Sequence, residues 1–222
     1  MYAAIKEGRI TAEDAEDMVR QYSATTEAGR LQKIYEPPVD ENDDRVAALQ
    51  ETYKTVDPAL LQKIVDVADA LEANPADLAA VIRGESNFDS KARHPSSKAT
   101  GLIQFVPDTA KNLGYTVDEI RAMDPVTQMD VVYKYLKKYK GRMTSYDEMA
   151  MAVYYPAALG KPDSFSIADD SYDRMYAYRL KKGDSKEEAL RRARAQRESI
   201  IQTNAGIVTR GDYLSKLGPK RR

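Results

Sequence analysis

The sequence has no cysteine, no tryptophan and a single histidine, His94. Without cysteine the protein can form neither a disulfide framework nor a thiolate zinc site, and it has no cysteine nucleophile. One histidine cannot build a His-rich metal site. No apolar run approaches the roughly 18 residues of a membrane-spanning helix, and the start of the chain lacks the basic and apolar stretches of a signal peptide. We therefore expect no metal, no cofactor and no membrane span.

Charge is balanced over the 222 residues, with a formal net charge of −1, but it is unevenly distributed. Residues 1–57 carry 7 basic and 13 acidic groups, whereas residues 174–222 carry 14 basic and 5 acidic groups. Oppositely charged ends can dock onto partners, although charged helix surfaces are usually just solvated. The basic run at 189–197 has no interleaved aromatic residues, so we do not expect nucleic acid as a partner.

Helix signals dominate the chain. Proline directly after Asp or Asn marks three helix starts, because proline has no N–H to leave unpaired and the preceding side chain accepts from the free amides. These starts are Asp57-Pro58, Asn74-Pro75 and Asp124-Pro125. Capping boxes predict two more starts, at Ser145 with Glu148 and at Ser185 with Glu188, and glycine predicts helix ends at Gly114 and Gly183. Only residues 84–107 are irregular, with room for a short β-hairpin, so we expect a mainly α protein.

The helix that starts at Asn74-Pro75 ends its apolar face in a carboxylic acid. Four residues at i, i+3, i+4 and i+7 share this face: Leu78, Val81, Ile82 and Glu85. Desolvation raises the pKa of a carboxyl group and keeps it protonated, which is the state that a general acid requires. The alternative is that Glu85 lies beyond the buried part of the helix, beside Gly84, and is simply solvated.

Two later segments carry groups suited to binding a sugar. In GLIQFVP (101–107), Gly101 permits close backbone approach, and Gln104 offers a donor and an acceptor to a hydroxyl or N-acetyl group. In MAVYYP (151–156), Tyr154 or Tyr155 can hydrogen-bond a carboxyl group or stack on a sugar ring. Ordinary core packing is the alternative for this tyrosine pair.

These segments, in this order, resemble the lytic transglycosylase domain of the soluble transglycosylase type, which is related to goose-type lysozyme. The resemblance spans about residues 58–160 and rests on ESNF (85–88), GLIQFVPDTAKNLG (101–114), DPVTQMDVVYKYLKKY (124–139) and AVYYP (152–156). It implies a mainly helical, lysozyme-like fold. It also implies cleavage of the β-1,4 bond between N-acetylmuramic acid and N-acetylglucosamine in peptidoglycan without water, which leaves a 1,6-anhydro end.

The resemblance further implies a role for each matching residue. Glu85 matches the single catalytic acid and base, and Ser86 matches the serine that lies beside it near the substrate. Gln104 matches a sugar-binding glutamine. Tyr154 matches the tyrosine that hydrogen-bonds the catalytic glutamate, and Tyr155, a further expected substrate contact, stands where the family usually has asparagine.

The number of carboxylates bears on the mechanism. A lysozyme-type hydrolase generally uses two, whereas the motifs fix only Glu85, and the nearest other acid, Asp89, is expected to face its loop. A lone glutamate can protonate the departing oxygen and then accept the proton of the sugar's C6 hydroxyl. Two alternatives stay open: a muramidase-type hydrolase of the same fold, and a non-catalytic virion structural protein that retains the fold.

We therefore divide the chain into an N-terminal helical extension with an acidic linker (1–56), a catalytic domain (57–165) and a basic C-terminal helical extension (166–222). Within the first part, Thr11 with Asp14 predicts a helix that reaches about Tyr35. An enzyme that acts on the cell wall but has no visible signal peptide needs another way to reach its substrate. We expect either delivery by a bacteriophage particle or a domain excised from a longer chain. The expected partners are peptidoglycan glycan strands and, through the extensions, other virion proteins.

Overall fold

A computed structural model describes residues 44–203 and 208–217 of the chain. The helix predicted from Thr11 to about Tyr35 and most of the acidic linker lie outside these residues. The described residues form ten α-helices, α1 to α10 in chain order: Asp44–Thr52, Pro58–Ala70, Pro75–Ser86, Pro107–Asn112, Val117–Ala122, Pro125–Leu136, Tyr146–Tyr154, Ile167–Lys181, Lys186–Thr203 and Arg210–Leu217. Short 3-10 turns follow α6 and α7. The chain divides into two compact units, Met1–Gly141 and Arg142–Arg222.

All three predicted Asp/Asn-Pro helix starts are confirmed. The side chains of Asp57, Asn74 and Asp124 each accept a hydrogen bond from a backbone N–H in the first turn, at 2.8–2.9 Å. Gly114 and Gly183 follow the ends of α4 and α8 in the left-handed conformation, with φ of +87° and +90°. The capping residues that predicted these boundaries from the sequence therefore also form the caps in the structure.

The two predicted capping boxes are only half formed. The expected pairs are Ser145 with Glu148 and Ser185 with Glu188, and in both the serine Oγ accepts from the glutamate N–H. The prediction that each glutamate carboxylate also accepts from the serine N–H is wrong, because an arginine donates to that carboxylate instead. Arg210 donates to Glu148 at 2.7 Å, and Arg191 donates to Glu188 at 2.7 Å.

Helix α2 is the centre of the first unit. It contacts α1, α3 and α6, and its apolar residues recur at the three- and four-residue spacing of a helix face. Its fully buried residues include Leu61, Ile64 and Val67, which meet a core that also contains Leu78, Ile82, Val132 and Leu136. Each large aliphatic side chain buried in this way contributes about 1.5–3 kcal/mol to stability.

The stretch between α3 and α4 contains the expected β-hairpin only as single bridges. Thr100 and Phe105 exchange both backbone hydrogen bonds, at 3.1 and 2.7 Å, and Thr100 also bridges to Arg93. No longer strand forms among the described residues, so the prediction of a mainly α protein is confirmed. Lys91 joins this stretch to the end of α5, where its Nζ donates to the carbonyls of residues 121, 122 and 123 at 2.7–3.1 Å.

The second unit consists of α7, an αα-hairpin of α8 and α9, and the C-terminal helix α10. Ala189 and Ala193, one turn apart on α9, are fully buried, which lets α8 and α9 pack closely along their length. The segment before α10 pairs with the start of α8 through a bridge between Ser166 and Thr209. None of the described helices is apolar and long enough to cross a membrane.

The N-cap of α6 predicts a pH-dependent contribution to stability. Hydrogen bonds from the Thr127 hydroxyl and N–H lower the pKa of Asp124. Replacing Asp124 by Ala removes the cap and is expected to lower the free energy of unfolding by about 1 kcal/mol at pH 7. Because the folded-state pKa is the lower one, this contribution is present above about pH 4 and disappears as the pH falls through the folded value.

Urea unfolding of wild type and Asp124→Ala, repeated from pH 7 downward, measures this difference. The matched control is Asp124→Asn, which keeps an uncharged acceptor and therefore stabilises the helix at every pH. An Asp124→Ala deficit that stays constant down to the lowest pH would contradict the assignment.

Candidate active site

The carboxylate predicted to be catalytic lies in the last turn of α3. Leu78, Val81 and Ile82 are at most 4% exposed, so the predicted apolar face is confirmed, and Glu85 at its end is half-buried. Directly afterwards Asn87 and Phe88 adopt left-handed backbone conformations, with φ of +53° and +64°. The helix therefore stops abruptly beside Glu85, and the chain turns away from it.

Ser86 connects this helix end to the GLIQ loop, which we define as residues 101–104. Its Oγ lies 2.9 Å from the carbonyl oxygen of Leu102 and 3.2 Å from that of Ile82. A hydroxyl has one hydrogen and two lone pairs. Since the hydrogen points at these protein carbonyls, Ser86 can offer a ligand only an acceptor. The structure thus brings together two of the segments that the sequence singled out.

The GLIQ loop is a tight turn between the bridged residues Thr100 and Phe105. Gly101 and Gln104, at its two ends, both have positive φ, of +79° and +54°. The Gln104 side chain folds back over the turn, and its Nε2 donates to the Gly101 carbonyl at 3.0 Å. That bond uses one of two N–H donors, so the half-buried Gln104 amide keeps a donor and a carbonyl oxygen with which it can bind a sugar hydroxyl or N-acetyl group.

Gln128 of α6, which the sequence analysis did not single out, holds this loop in place. It is fully buried. Its Oε1 accepts from the Leu102 N–H at 2.5 Å, and its Nε2 donates to the carbonyls of Ile120 at 2.8 Å and Ser90 at 3.1 Å. The signal for it was present in the sequence, because Gln128 interrupts an apolar helix face as Glu85 does.

Gly101 is required where Gln128 crosses the loop. A Cβ atom built on Gly101 would overlap the Gln128 amide group, with Oε1 the nearest atom. The close approach expected at Gly101 is therefore made by a buried side chain of the protein itself. Positive φ is a second and independent reason for glycine at this position.

The two predicted tyrosines lie at the end of α7, in the second unit. The ring of Tyr154 stacks on that of Tyr213, with centroids 3.8 Å apart and planes at 9°. The Tyr155 hydroxyl donates to Asp170 at 2.9 Å, and burial together with this hydrogen bond raises the pKa of Tyr155 above its usual range. Tyr155 therefore stays protonated and ties the end of α7 to α8.

Asp89, the nearest second carboxylate in the sequence, is exposed, and its side chain stabilises the turn in which it lies. Its Oδ1 accepts from the Lys91 N–H at 2.8 Å, which agrees with the expectation that it faces its loop. Among the described residues, no group of three or more His, Asp or Glu side chains is arranged to hold a metal ion. Glu85 is therefore followed directly by Ser86, whose hydrogen bond to Leu102 joins the end of α3 to the loop that carries Gln104.

The contact between Gly101 and Gln128 is tested by comparing two glycines of the same backbone conformation. Gly114 has a similar positive φ, but nothing lies within 4 Å of its Cβ position. We expect Gly114→Ala to cost about 1 kcal/mol, for the left-handed backbone alone. Gly101→Ala should cost about 3 kcal/mol, because overlap with Gln128 is added. Equal losses in urea unfolding of the two variants would refute the close approach.

Comparison with known families agrees with this geometry. Residues 63–163 match the family model described as the transglycosylase SLT domain. The matched stretch contains Glu85, the GLIQ loop, Gln128 and the tyrosine pair. No solved structure matches the chain. The resemblance seen in the sequence and the mainly α, lysozyme-like fold it implied are thereby confirmed. Residues 63–163 of this chain therefore match a transglycosylase SLT domain, the domain of lytic transglycosylases.

Proposed function

We propose that the protein is a peptidoglycan lytic transglycosylase in which Glu85 is the single general acid and base. Its substrate is the β-1,4 bond between N-acetylmuramic acid and N-acetylglucosamine, and its product carries a 1,6-anhydro-N-acetylmuramic acid end. One observation carries the proposal. Within the stretch that matches the transglycosylase SLT domain, the half-buried Glu85 lies in the last turn of α3, next to Ser86, whose hydroxyl donates to the Leu102 carbonyl of the GLIQ loop.

The reaction needs one carboxyl group used twice. Protonated Glu85 donates its proton to the glycosidic oxygen as the bond from that oxygen to C1 of the muramic acid breaks. The resulting positive charge at C1 is stabilised by the sugar's own N-acetyl group. Ionised Glu85 then accepts the proton of the C6 hydroxyl while O6 bonds to C1. The carboxyl group is restored, and no water is consumed.

The surroundings of Glu85 favour this route over hydrolysis. A hydrolase that inverts or retains configuration generally places a second carboxylate on the other face of the sugar. Asp89, the nearest candidate in the sequence, is exposed and holds the turn at Lys91. Substrate contacts are assigned to Ser86, as an acceptor, and to the free half of the Gln104 amide. Tyr154 and Tyr155, at the end of α7, are assigned as further contacts to the glycan.

Delivery to the wall by a bacteriophage particle is a second part of the proposal. It is supported by the uneven charge of the chain, which is acidic over residues 1–57 and basic over residues 174–222. The oppositely charged ends of the chain are the segments we assign to contacts with other virion proteins. Detection of the protein in purified phage particles by mass spectrometry tests this assignment.

Mass spectrometry of the soluble products released from purified peptidoglycan tests the chemistry. Wild type should release anhydro-muramyl products. Replacing Glu85 by Gln should reduce the rate by at least about 100-fold, because the amide neither donates nor accepts the proton. Binding of the variant to peptidoglycan should be retained. The matched control is Glu51→Gln, at an exposed glutamate on α1, which should have wild-type activity.

Three results would overturn the proposal in different ways. Reducing muramic acid ends would show a hydrolase with a second carboxylate. Full activity in Glu85→Gln would show that another residue is the acid. No product from a folded wild-type protein, as judged by circular dichroism, would favour a non-catalytic structural protein.

A further inference from the structure

The chain leaves α3 through two consecutive residues in the left-handed backbone conformation. The first, Asn87, ends the helix in a common way, with φ of +53° and its N–H donating to the Arg83 carbonyl at 2.9 Å. The second, Phe88, has φ of +64°. A bulky side chain avoids this conformation because its Cβ crowds the backbone. Such a residue persists only where its surroundings hold it, and Phe88 lies three residues after Glu85.

The side chain that contacts Phe88 comes from the turn after α1. The rings of Tyr53 and Phe88, both half-buried, meet edge to face, with centroids 4.9 Å apart and planes at 62°. The guanidinium of Arg83 lies over the same Tyr53 ring, 5.8 Å from its centroid. One ring thus contacts a residue before Glu85 in the sequence and a residue after it.

The turn that carries Tyr53 has its own hydrogen bonds. The Tyr53 N–H donates to the Leu49 carbonyl at 2.8 Å, and its carbonyl accepts from the Val56 N–H at 2.9 Å. The Gln50 side chain closes the turn, with Nε2 3.2–3.4 Å from the carbonyl oxygens of residues 53, 54 and 56. Leu49 is 5% exposed and anchors α1, which contacts both α2 and α3. The Tyr53 ring is therefore held against the end of α3 by a turn that is fixed independently of it.

Tyr53 approaches this helix end from the side of Arg83. Successive residues of a helix are about 100° apart, so Arg83 and Glu85 point to opposite sides of α3. Their burial agrees with this, because Arg83 is exposed and Glu85 is half-buried. Any effect of Tyr53 on the reaction is therefore exerted through the backbone that carries Glu85. That backbone packs against the Tyr53 ring both before and after the carboxylate, which fixes the direction in which the last turn of α3 presents it.

We propose that Tyr53 is a positioning residue for the transglycosylase reaction, which holds the strained turn at Phe88 and with it the helix end that carries Glu85. The inference rests on the function proposed above, in which Glu85 is the acid and base. Tyr53 lies before the stretch that matches the family model, which begins at residue 63, and within the segment that the sequence assigned to an N-terminal extension. The catalytic unit therefore includes the turn after α1.

Two measurements on the full chain test the inference, with Tyr53→Leu as the variant that removes the ring contact. Hydrogen exchange of the Asn87 and Asp89 amides, which donate to the carbonyls of residues 83 and 86, should become about fivefold faster, the equivalent of losing one aromatic pair. In steady-state kinetics on solubilised, uncrosslinked glycan strands, kcat should fall about tenfold and KM should stay within about twofold, since a misplaced catalytic group slows the chemical step. Tyr53→Phe keeps the ring and should behave as wild type in both.

The matched control is Tyr115→Leu. Tyr115 is also a half-buried tyrosine of the first unit with a cation over its ring, the Nζ of Lys134 at 5.4 Å, but it follows α4. A general loss of stability affects both leucine variants alike, whereas only Tyr53→Leu should change kcat and the exchange of the turn.

A double mutant and a substitute variant complete the test. Phe88→Leu already removes the partner ring, so adding Tyr53→Leu to it should lower kcat by less than about twofold, whereas two independent effects would multiply. If Tyr53→Leu does not fold, Gln50→Ala takes its place. It releases the turn after α1 with both rings retained, so exchange at Asn87 should again rise and kcat should again fall.

Wild-type kcat or wild-type exchange in a folded Tyr53→Leu would overturn the inference, and so would equal losses of kcat in Tyr115→Leu, multiplicative losses in the double mutant, or failure of Tyr53→Phe to retain activity. A higher KM with unchanged kcat would overturn it in favour of substrate binding by Tyr53. Where the leucine variant is lost, unchanged kcat and exchange in Gln50→Ala decide against it. A wild type that releases no anhydro products overturns the proposed function instead, and the inference falls with it, so the two failures are distinguishable.

Discussion

The buried amide of Gln128 is the contact on which the site geometry of the first unit depends. It engages three backbone groups, the Leu102 N–H and the carbonyls of Ser90 and Ile120, without access to water. Each such group would cost about 1–3 kcal/mol if left unpaired in the interior. The end of α5, the GLIQ loop and the turn after α3 therefore cannot shift independently of α6. This one side chain joins segments that are far apart in sequence.

The shape of the candidate site follows from that constraint. Because Gln128 crosses the loop at Gly101, the loop runs too close to α6 for any side chain at that position. In the same placement the Leu102 carbonyl accepts a hydrogen bond from Ser86, which joins the loop to the end of α3. Neutral hydrogen bonds thus join the end of α3, which carries Glu85, to the loop that carries the Gln104 amide. Preorganised polar groups suit the two proton transfers that we propose for Glu85, because they need little reorganisation during a reaction.

In the second unit a buried charged side chain, Arg210, plays the part that the buried amide of Gln128 plays in the first. Arg210 is nearly buried and pairs with two carboxylates, Glu148 of α7 and Asp163 of the segment before α8. A buried ion pair adds little net stability but strongly disfavours arrangements that leave one partner alone. In both units the apolar core supplies most of the free energy of folding, and one buried polar side chain selects the arrangement of the polypeptide around the functional residues. The stacked rings of Tyr154 and Tyr213 further restrict the arrangement of the second unit.

Local chemistry allowed the sequence to predict the helix starts at Asp57, Asn74 and Asp124, since each cap involves residues within one turn of each other. The apolar face leading to Glu85 was predictable for the same reason, and the resemblance of the motifs to the transglycosylase family indicated the domain. The return bonds of the capping boxes were not, because Arg210 competes for Glu148 from a distant part of the chain. The clamp by Gln128 and the stacking of Tyr213 on Tyr154 were likewise decided only by tertiary structure. Their partners meet through packing of whole helices, which no pattern of neighbouring residues encodes.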